Sequence, residues 1–259
     1  MKVVILCGGM GTRLREETEF KPKPMVEIGG KPILWHIMKI YSYYGFNEFV
    51  LALGYKGSYI RDYFLNYKYY NCDLTIEVGR ESEITFHDGI KEDWKVTLVD
   101  TGEETMTGYR LKLCRKYIDG DSFMLTYGDA VSDVNVKELL DFHKKQKTIA
   151  TVTGVYPSSR FGDLEVSGNH VTNFKEKLKD FNNKNPINGG FFVFNKEIFN
   201  YIEDSPLCDL EKNPMSKLTS ENQLSFYNHK GYWQCMDTYR DFLILNNEWK
   251  NNPQWKIWE

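Results

Sequence analysis

The chain has 259 residues, of which 41% are hydrophobic and 27% charged, a composition that excludes a disordered protein and fits one large α/β domain or two small ones. Its formal net charge is −3, and no run of like charges is long enough to form a nucleic-acid-binding tail. Because the protein has no general positive field, a phosphate-containing ligand must be bound by local basic groups and backbone N–H donors.

Short apolar runs alternate with helical patterns from the N-terminus onward. Residues 3–6 form a β-rich apolar run followed by glycines, which predicts a buried strand, and residues 33–44 have apolar side chains at helical spacing. A second strand at residues 49–53 and a second helix at residues 58–65 repeat this order. Strand, loop and helix in repeated succession are typical of a parallel α/β sheet.

Five further segments are predicted as later strands. They are residues 74–78, 96–99, 123–126, 149–155 and 190–194, with a helix at residues 136–145 between two of them. The polar residues 179–184 are predicted as a loop, either a solvated turn or a functional flap. Three tryptophans in residues 247–259 indicate that the C-terminal segment docks onto the core or onto a neighbouring subunit.

The glycine-rich segment after the first strand is a candidate phosphate site. In residues 8–12 the backbone can approach a phosphate closely and direct several N–H groups at it, although the segment matches neither the Walker nor the dinucleotide pattern. Arg13 follows the glycines, and Lys23 lies between prolines that keep its backbone extended. By themselves, Lys21 and Lys23 would be interpreted as an exposed basic loop. Next to the glycines they indicate an anion site.

Asp129 is a candidate ligand for a metal ion. It follows the predicted strand at residues 123–126 through a glycine. A carboxylate at the C-terminal end of a parallel strand lies in the crevice where α/β sheets bind ligands. The alternative for any single aspartate is a turn or capping residue.

The Gly-Gly-x-Gly-Thr-Arg-Leu and Lys-Pro-Lys-Pro-Met motifs resemble those of the sugar-nucleotide pyrophosphorylases, a nucleotidyltransferase family, and in particular of its cytidylyl-transferring branch. The resemblance continues through residues 26–38, 54–57, 97–102, 126–129, 160–162, 188–192, 236–238 and 255–259. It implies one nucleotidyltransferase domain over residues 1–259, with a Rossmann-like mixed, mainly parallel sheet flanked by helices. It places a nucleotide-binding part in residues 1–130 and a sugar and metal part, with a small β-rich sugar-binding region, in residues 131–259.

The resemblance also implies a reaction and a set of site residues. CTP and α-D-glucose 1-phosphate would give CDP-glucose and pyrophosphate, with Mg²⁺ bound by Asp129 and Asp237. The implied catalytic residues are Arg13, for the β- and γ-phosphates, and Lys23, for charge at the α-phosphate. The implied nucleotide-binding residues are Leu6, Cys7, Gly8, Gly9, Met10, Gly11, Thr12, Arg13, Lys23, Thr105, Gly108, Arg110 and Gly128.

Within the implied nucleotide site, Thr105 and Arg110 would contact the base, and Gly108 would pack beneath it. The sugar phosphate would be bound by Glu176, Lys177, Asn188 and Gly189. For the first two residues of that set, an exposed charged turn is a serious alternative.

Four positions differ from the pattern expected of glucose-specific members: Tyr109, Ala130, Ser159 and Leu178. Each is consistent with neutral drift, but all four lie beside implied contacts, so a CTP-dependent enzyme with a different phosphorylated acceptor stays an open alternative. A third hypothesis is a non-catalytic regulatory subunit that keeps the fold. The presence of both implied cations and both implied carboxylates argues against that hypothesis.

Location and partners are the remaining expectations. The five scattered cysteines have neither zinc-site nor redox spacing and are interpreted as reduced thiols of a cytoplasmic protein. The N-terminal apolar run is too short for a signal peptide, and no stretch approaches the roughly 18 apolar residues that span a bilayer. We expect no nucleic-acid or membrane partner. The resemblance implies a homo-oligomer, with a hexamer as the family precedent.

Overall fold

The computed structural model describes residues 1–9, 11–79, 83–87, 89–157, 163–167, 170–175 and 185–259. Its strands are β1 (Lys2–Cys7), β2 (Glu27–Ile28), β3 (Lys31–Pro32), β4 (Glu48–Leu53), β5 (Leu74–Glu77), β6 (Glu83–Phe86), β7 (Lys95–Asp100), β8 (Ser122–Tyr127), β9 (Ala130–Ser132), β10 (Ala150–Val155), β11 (Asp163–Ser167), β12 (His170–Lys175), β13 (Ile187–Asn195), β14 (Leu224–Asn228) and β15 (Trp233–Cys235). Its α-helices are α1 (Arg15–Thr18), α2 (Ile33–Tyr43), α3 (Gly57–Leu65), α4 (Tyr67–Asn71), α5 (Thr107–Cys114), α6 (Val136–Gln146), α7 (Asn213–Ser220) and α8 (Tyr239–Asn251). Short 3-10 helices lie at Thr12–Leu14, Lys23–Met25, Arg115–Tyr117 and Lys196–Asn200.

A 7-stranded sheet in the order β14-β10-β13-β8-β1-β4-β7 forms the centre of the molecule. Neighbouring strands are parallel except at β13, which runs antiparallel to β10 and β8. The prediction of a mixed, mainly parallel sheet flanked by helices is confirmed. The sheet is continuous across the predicted division near residue 130, because β10, β13 and β14 extend the sheet that β1, β4, β7 and β8 begin.

Most of the predicted strands correspond to strands of this sheet. The run at residues 74–78 is different, because it corresponds to β5, which pairs with β6 in a separate two-stranded sheet. The side chain of Ile76 in that hairpin is 53% exposed. A two-stranded sheet has no second layer on its outer face, so an apolar run there does not become a fully buried strand.

Helices cover both faces of the central sheet, and this explains why β1 is apolar along its whole length. Val3 and Ile5 pack into a core cluster with α2, whereas Val4 and Leu6 pack into a second cluster with α5. Both faces of a parallel strand are buried in such a layered fold, so the strand shows a continuous apolar run instead of an alternating one.

The C-terminal segment packs against α2. Trp255 is fully buried in the core, and its Nε1–H donates to Nδ1 of His36 over 3.3 Å. The Nε2–H of His36 in turn donates to the carbonyl of Ile28 over 2.9 Å. Docking onto the core, one of the two expectations for the tryptophan-rich tail, is therefore observed for this residue. In the part of the chain that the structure describes, no helix is both long and apolar enough to cross a lipid bilayer.

The buried imidazole of His36 should make stability depend on pH. Burial lowers the pKa of His36 from 6.5 to about 4. As the pH falls from about 6.5 to about 4, the unfolded chain gains a proton that the folded protein does not accept, so this residue should lower the free energy of unfolding by roughly 3 kcal/mol at most. Urea unfolding at pH 8 and pH 5 measures the loss. Because pH 5 lies only part-way through this window, the loss in His36→Gln should be smaller by about 2 kcal/mol, and an unchanged loss would contradict the prediction.

Candidate functional site

A cavity of about 450 Å³ opens at the carboxyl ends of β1 and β8. Gly8, Gly9, Tyr127 and Trp233 are among the residues that line it. The two predicted catalytic cations and the two predicted metal-binding carboxylates also face this cavity. In a largely parallel sheet the carboxyl ends of the strands form the crevice that binds ligands, which is where these side chains meet.

Two carboxylates converge on one ammonium group at the base of the cavity. Nζ of Lys23 lies 2.6 Å from Oδ2 of Asp129 and 2.5 Å from Oδ1 of Asp237. Nη1 of Arg13 lies 2.8 Å from the other oxygen of Asp237. Burial by itself would lower the pKa of Lys23, but the two carboxylates outweigh it, and the pKa is raised. The ammonium is therefore charged at all physiological pH values.

A short antiparallel ladder places the two aspartates side by side. Ala130 of β9 pairs with Cys235 of β15, and the N–H of Met236 donates to the carbonyl of Asp129 over 2.8 Å. Asp129 immediately precedes β9, and Asp237 follows β15 by two residues. The register of this ladder, more than any property of the aspartates themselves, determines that both carboxylates reach the same point.

Asp241, in the first turn of α8, fixes the backbone of Asp237. Its Oδ2 accepts from the N–H of Asp237 over 3.1 Å and from the N–H of Thr238 over 2.9 Å. Oγ1 of Thr238 accepts from the N–H of Asp241, which completes a capping box. The signal for this residue was present in the sequence as Thr-x-x-Asp before an apolar helical pattern, and it was missed.

The proline-flanked arm, residues 21–25, has two lysines, and only Lys23 lines the cavity. Pro22 and Pro24 flank Lys23, which begins a 3-10 helix and leaves its side chain 12% exposed. Lys21 instead lies against Glu17 and Glu27, at 4.0 and 3.7 Å. Lys21 therefore lies in a partly buried group of ion pairs and does not line the cavity, whereas Lys23 does.

The guanidinium of Arg110 is buried behind the glycine segment. Its Nη1 donates to Oγ1 of Thr101 over 2.8 Å and to the carbonyl of Gly102 over 2.7 Å. Its Nη2 donates to the carbonyls of Gly8 and Glu103 over 3.1 and 3.0 Å. Arg110 thus links the glycine segment to the loop after β7. It borders the cavity, and direct contact with a base stays a prediction.

Two glycines make room for that guanidinium. A Cβ at Gly8 would lie 2.1 Å from Nη1 of Arg110, and a Cβ at Gly54 would lie 2.2 Å from the same atom. No side chain fits at such distances without displacing the arginine. The glycine after β1 is therefore required for the packing of Arg110 as well as for any approach to a phosphate.

The structure brings several other predicted nucleotide residues to the cavity. Leu6, Cys7, Thr105 and Gly128 line it, and Gly11 and Thr12 continue the glycine segment beyond Gly9. Gly108 is not among the residues that line the cavity, and a Cβ there would lie 2.9 Å from both the carbonyl oxygen and Sγ of Cys208. It is a glycine because α5 packs closely against that segment. Met10 lies outside the described residues.

The structure describes two of the four predicted sugar-phosphate residues, Asn188 and Gly189. Nδ2 of Asn188 donates to Oη of Tyr127 over 3.1 Å, and the carbonyl of Gly189 accepts from Nε1 of Trp233 over 2.8 Å. Both residues therefore stand directly behind side chains that line the cavity. Glu176, Lys177 and the predicted loop at residues 179–184 lie outside the described residues.

Two of the four unusual positions can be located. Tyr109 packs its side chain against the core cluster beneath α5, and Ala130 is 3% exposed within the β9–β15 ladder. Neither side chain lines the cavity, so the Cβ of Ala130 does not reshape the sugar side directly. Ser159 and Leu178 lie outside the described residues.

The donor set of the carboxylate pair fits a hard divalent cation that takes further ligands from its substrates. Both groups offer oxygen, the ligand atom that Mg²⁺ prefers, and both already reach a single positive charge on Lys23. Among the described residues, no cluster of three or more His, Cys, Asp or Glu side chains could hold a metal. Two carboxylates with phosphate oxygens and water are the usual magnesium environment in phosphoryl-transfer enzymes.

The sequence profile of the nucleotidyl transferases matches residues 2–252. The chain belongs to the nucleotidyl transferase family. Members of this nucleotidyl transferase family typically use a divalent metal.

The chain is 47% identical over 261 residues to glucose-1-phosphate cytidylyltransferase of Salmonella typhi, with 100% of each chain covered. It is 43% identical over 259 residues to a probable glucose-1-phosphate cytidylyltransferase of Bacillus subtilis, again with 100% of each covered.

The fold of this nucleotidyl transferase is also that of solved structures with distant sequences. A UDP-glucose pyrophosphorylase complexed with UDP-glucose superimposes with a TM-score of 0.68 over 96% of this chain and 98% of the other, at 14% identity. At that identity the likeness establishes the fold, a mostly parallel sheet between helices.

Replacing the buried arginine of this nucleotidyl transferase should be costly. In Arg110→Lys a single ammonium cannot reach the carbonyls on both sides, so buried acceptors lose their donors, and we expect a loss of about 2–4 kcal/mol in the free energy of unfolding. Urea titration measures it. Arg115→Lys, on the next turn of the chain and exposed, is the matched control and should change stability by less than about 0.5 kcal/mol. Equal effects at the two positions would show that the network around Arg110 is not stabilising.

Proposed function

We propose that this protein catalyses the magnesium-dependent transfer of a cytidylyl group from CTP to α-D-glucose 1-phosphate, giving CDP-glucose and pyrophosphate. The observation that carries the proposal is the convergence of Lys23, Asp129 and Asp237 beside the glycine segment. The choice of CTP and glucose 1-phosphate is supported by full-length relatives that carry the name glucose-1-phosphate cytidylyltransferase.

The reaction needs positioning and charge neutralisation more than covalent chemistry. An oxygen of the sugar phosphate attacks the α-phosphorus of the triphosphate, a new P–O bond forms, and the bond to the pyrophosphate leaving group breaks. The sugar phosphate is already ionised at neutral pH, so no side chain has to remove a proton from it. The protein must instead hold two polyanions together, which requires concentrated positive charge.

The proposed roles follow from what each side chain can reach. Backbone N–H groups of the glycine segment and the guanidinium of Arg13 bind the β- and γ-phosphates. The ammonium of Lys23 stabilises charge at the α-phosphate as the leaving bond breaks. Asp129 and Asp237 would hold Mg²⁺, which when bound supplies Lewis-acid neutralisation of the phosphate oxygens.

Removal of the central ammonium should reduce turnover strongly. In Lys23→Ala the two carboxylates lose their shared counterion and the α-phosphate loses a preorganised donor, so kcat should fall roughly a hundredfold or more. The measurement is pyrophosphate release under saturating substrates. Lys21→Ala removes the neighbouring lysine of the same arm and should stay within about twofold of the unsubstituted protein. Near-normal kcat in Lys23→Ala would contradict its proposed role.

Activity should depend on Mg²⁺, and replacing one of the two aspartates should change that dependence. Activity should disappear in EDTA and return with added Mg²⁺. In Asp129→Asn, where a neutral amide replaces a charged ligand, the Mg²⁺ concentration for half-maximal activity should rise about tenfold or more. If neither EDTA nor this substitution altered the Mg²⁺ dependence, the two aspartates would not be metal ligands.

A panel of substrates distinguishes the proposed reaction from its alternatives. CTP with glucose 1-phosphate should release pyrophosphate faster than UTP, dTTP or ATP with the same acceptor. Release with CTP and another phosphorylated acceptor would favour the second hypothesis, a different substrate for the same chemistry. A thermal shift with CTP and Mg²⁺ but no release with any acceptor would indicate a non-catalytic binding subunit.

Assembly into a homo-oligomer, with a hexamer as the specific form, belongs to the same proposal. Light scattering at working concentration tests it, and a monomer would reject it.

A further inference from the structure

A hydrogen-bonded cluster centred on Glu211 lies beside the cavity, and the proposed mechanism uses neither Glu211 nor the two hydroxyl groups that donate to it. Glu211 belongs to the segment between the 3-10 helix at Lys196–Asn200 and α7. Its Oε1 accepts from Oη of Tyr127, and its Oε2 accepts from Oγ1 of Thr107 over 2.6 Å. The two donors belong to separate elements, since Tyr127 ends β8 and Thr107 begins α5.

Behind Tyr127 the hydrogen bonds form a directed series that ends at the Glu211 carboxylate. The N–H of Gly190 donates to Oδ1 of Asn188 over 2.9 Å. Nδ2 of Asn188 donates to Oη of Tyr127 over 3.1 Å, and that hydroxyl donates to Glu211. Because each group donates to the next, the acceptor at the end fixes the orientation of every group before it. Without Glu211, the Tyr127 hydroxyl loses its acceptor and is no longer held in the orientation in which it accepts from the amide of Asn188.

The ring of Tyr127 is held as closely as its hydroxyl. A Cβ at Gly190 would lie 2.4 Å from the ring, so the ring packs directly against the backbone at that glycine. The ring also meets Phe192 edge-on, with 5.9 Å between ring centroids. Tyr127 lines the cavity beside Trp233, which itself donates to the carbonyl of Gly189. These contacts make one wall from the aromatic side chains and the beginning of β13 at residues 188–190.

The other end of the cluster is anchored on α5. The N–H of Leu210 donates to Oγ1 of Thr107 over 3.0 Å, and the N–H of Met106 donates to the carbonyl of Pro206 over 2.8 Å. The segment that carries Glu211 is therefore fixed to the helix that follows the predicted base-binding loop. Glu211 connects that helix to the aromatic wall.

We propose that Glu211 is a positioning residue for the phosphorylated sugar, acting through Tyr127 and Asn188. The inference rests on the proposed function, because it assigns the aromatic wall to the acceptor. Tyr127 and Trp233 line the cavity, and they are hydrogen-bonded to Asn188 and Gly189, two of the predicted sugar-phosphate residues. Glu211 does not have to touch the substrate. It sets the orientation of the groups that do.

Steady-state kinetics with Glu211→Ala, Glu211→Gln, Tyr127→Phe and the double variant Glu211→Ala/Tyr127→Phe tests the proposal. Glu211→Ala should raise the KM for glucose 1-phosphate about tenfold, as expected for loss of a charge-assisted hydrogen bond, with the KM for CTP changed less than about threefold. Glu211→Gln keeps an acceptor for Tyr127 and should restore most of the loss. In the double variant, the added effect of Glu211→Ala should be below about twofold, because Tyr127 no longer transmits it.

A second tyrosine–glutamate pair provides the matched control. Oη of Tyr201 donates to Oε2 of Glu221 over 2.5 Å, at a site that does not border the cavity. Glu221→Ala should leave the KM for glucose 1-phosphate within about twofold of the unsubstituted protein. A similar effect of Glu211→Ala and Glu221→Ala, or additive effects in the double variant, would overturn the proposal.

The unsubstituted protein separates the two possible failures. Turnover with CTP and glucose 1-phosphate, together with an unchanged acceptor KM in Glu211→Ala, would reject the positioning role and leave the proposed function intact. Absence of turnover in the unsubstituted protein would reject both. Thermal unfolding of each variant, measured in parallel, shows whether the variant is still folded when its KM is increased.

Discussion

Two negative charges held against each other at the edge of the central sheet set the main constraint on this structure. Asp129 and Asp237 approach one point, and like charges at such a distance are unfavourable unless a cation lies between them. Lys23 supplies that cation, with its Nζ within 2.6 Å of both carboxylates. The stiff arm around Lys23, the β9–β15 ladder and the capping box of α8 each fix one of the three participants. The same arrangement that satisfies the electrostatics also concentrates charge where a triphosphate would bind.

The sequence allowed the layered core to be predicted because parallel strands between helices have a simple signature. The runs at residues 3–6 and 49–53 are apolar throughout, the run at residues 123–126 is apolar except for Thr126, and each became a central strand. Elements whose identity depends on tertiary contacts were not found in the same way. α5 is short, and its glycine at position 108 is unfavourable for a helix. It forms because Leu111 and Cys114 are buried in the core and Gly108 packs against Cys208.

The candidate site was predictable in its members but not in their arrangement. Family resemblance singled out Arg110 as a nucleotide contact, yet its guanidinium donates mostly to backbone carbonyls, of Gly102 in the loop after β7 and of Gly8 in the distant glycine segment. Carbonyl oxygens are present in every residue, so no residue pattern can reveal them as partners. Glu211 escaped notice for a related reason. Its importance comes from hydroxyls on β8 and α5 that meet it only after the sheet has formed.

α8 is hydrogen-bonded to both sides of the site. At its beginning, Asp241 binds the backbone N–H of Asp237. Farther along, Asn246 accepts from the N–H of Gly29 over 3.0 Å and donates to the carbonyl of Glu27 over 3.2 Å, in the hairpin that directly follows the Lys23 arm. α8 thus binds the backbone of Asp237 at its beginning and, farther along, the hairpin that follows the arm of Lys23. A displacement of α8 would therefore move Lys23 and Asp237 in the same direction. The distance between the ammonium and the carboxylate would then change less than the position of either group.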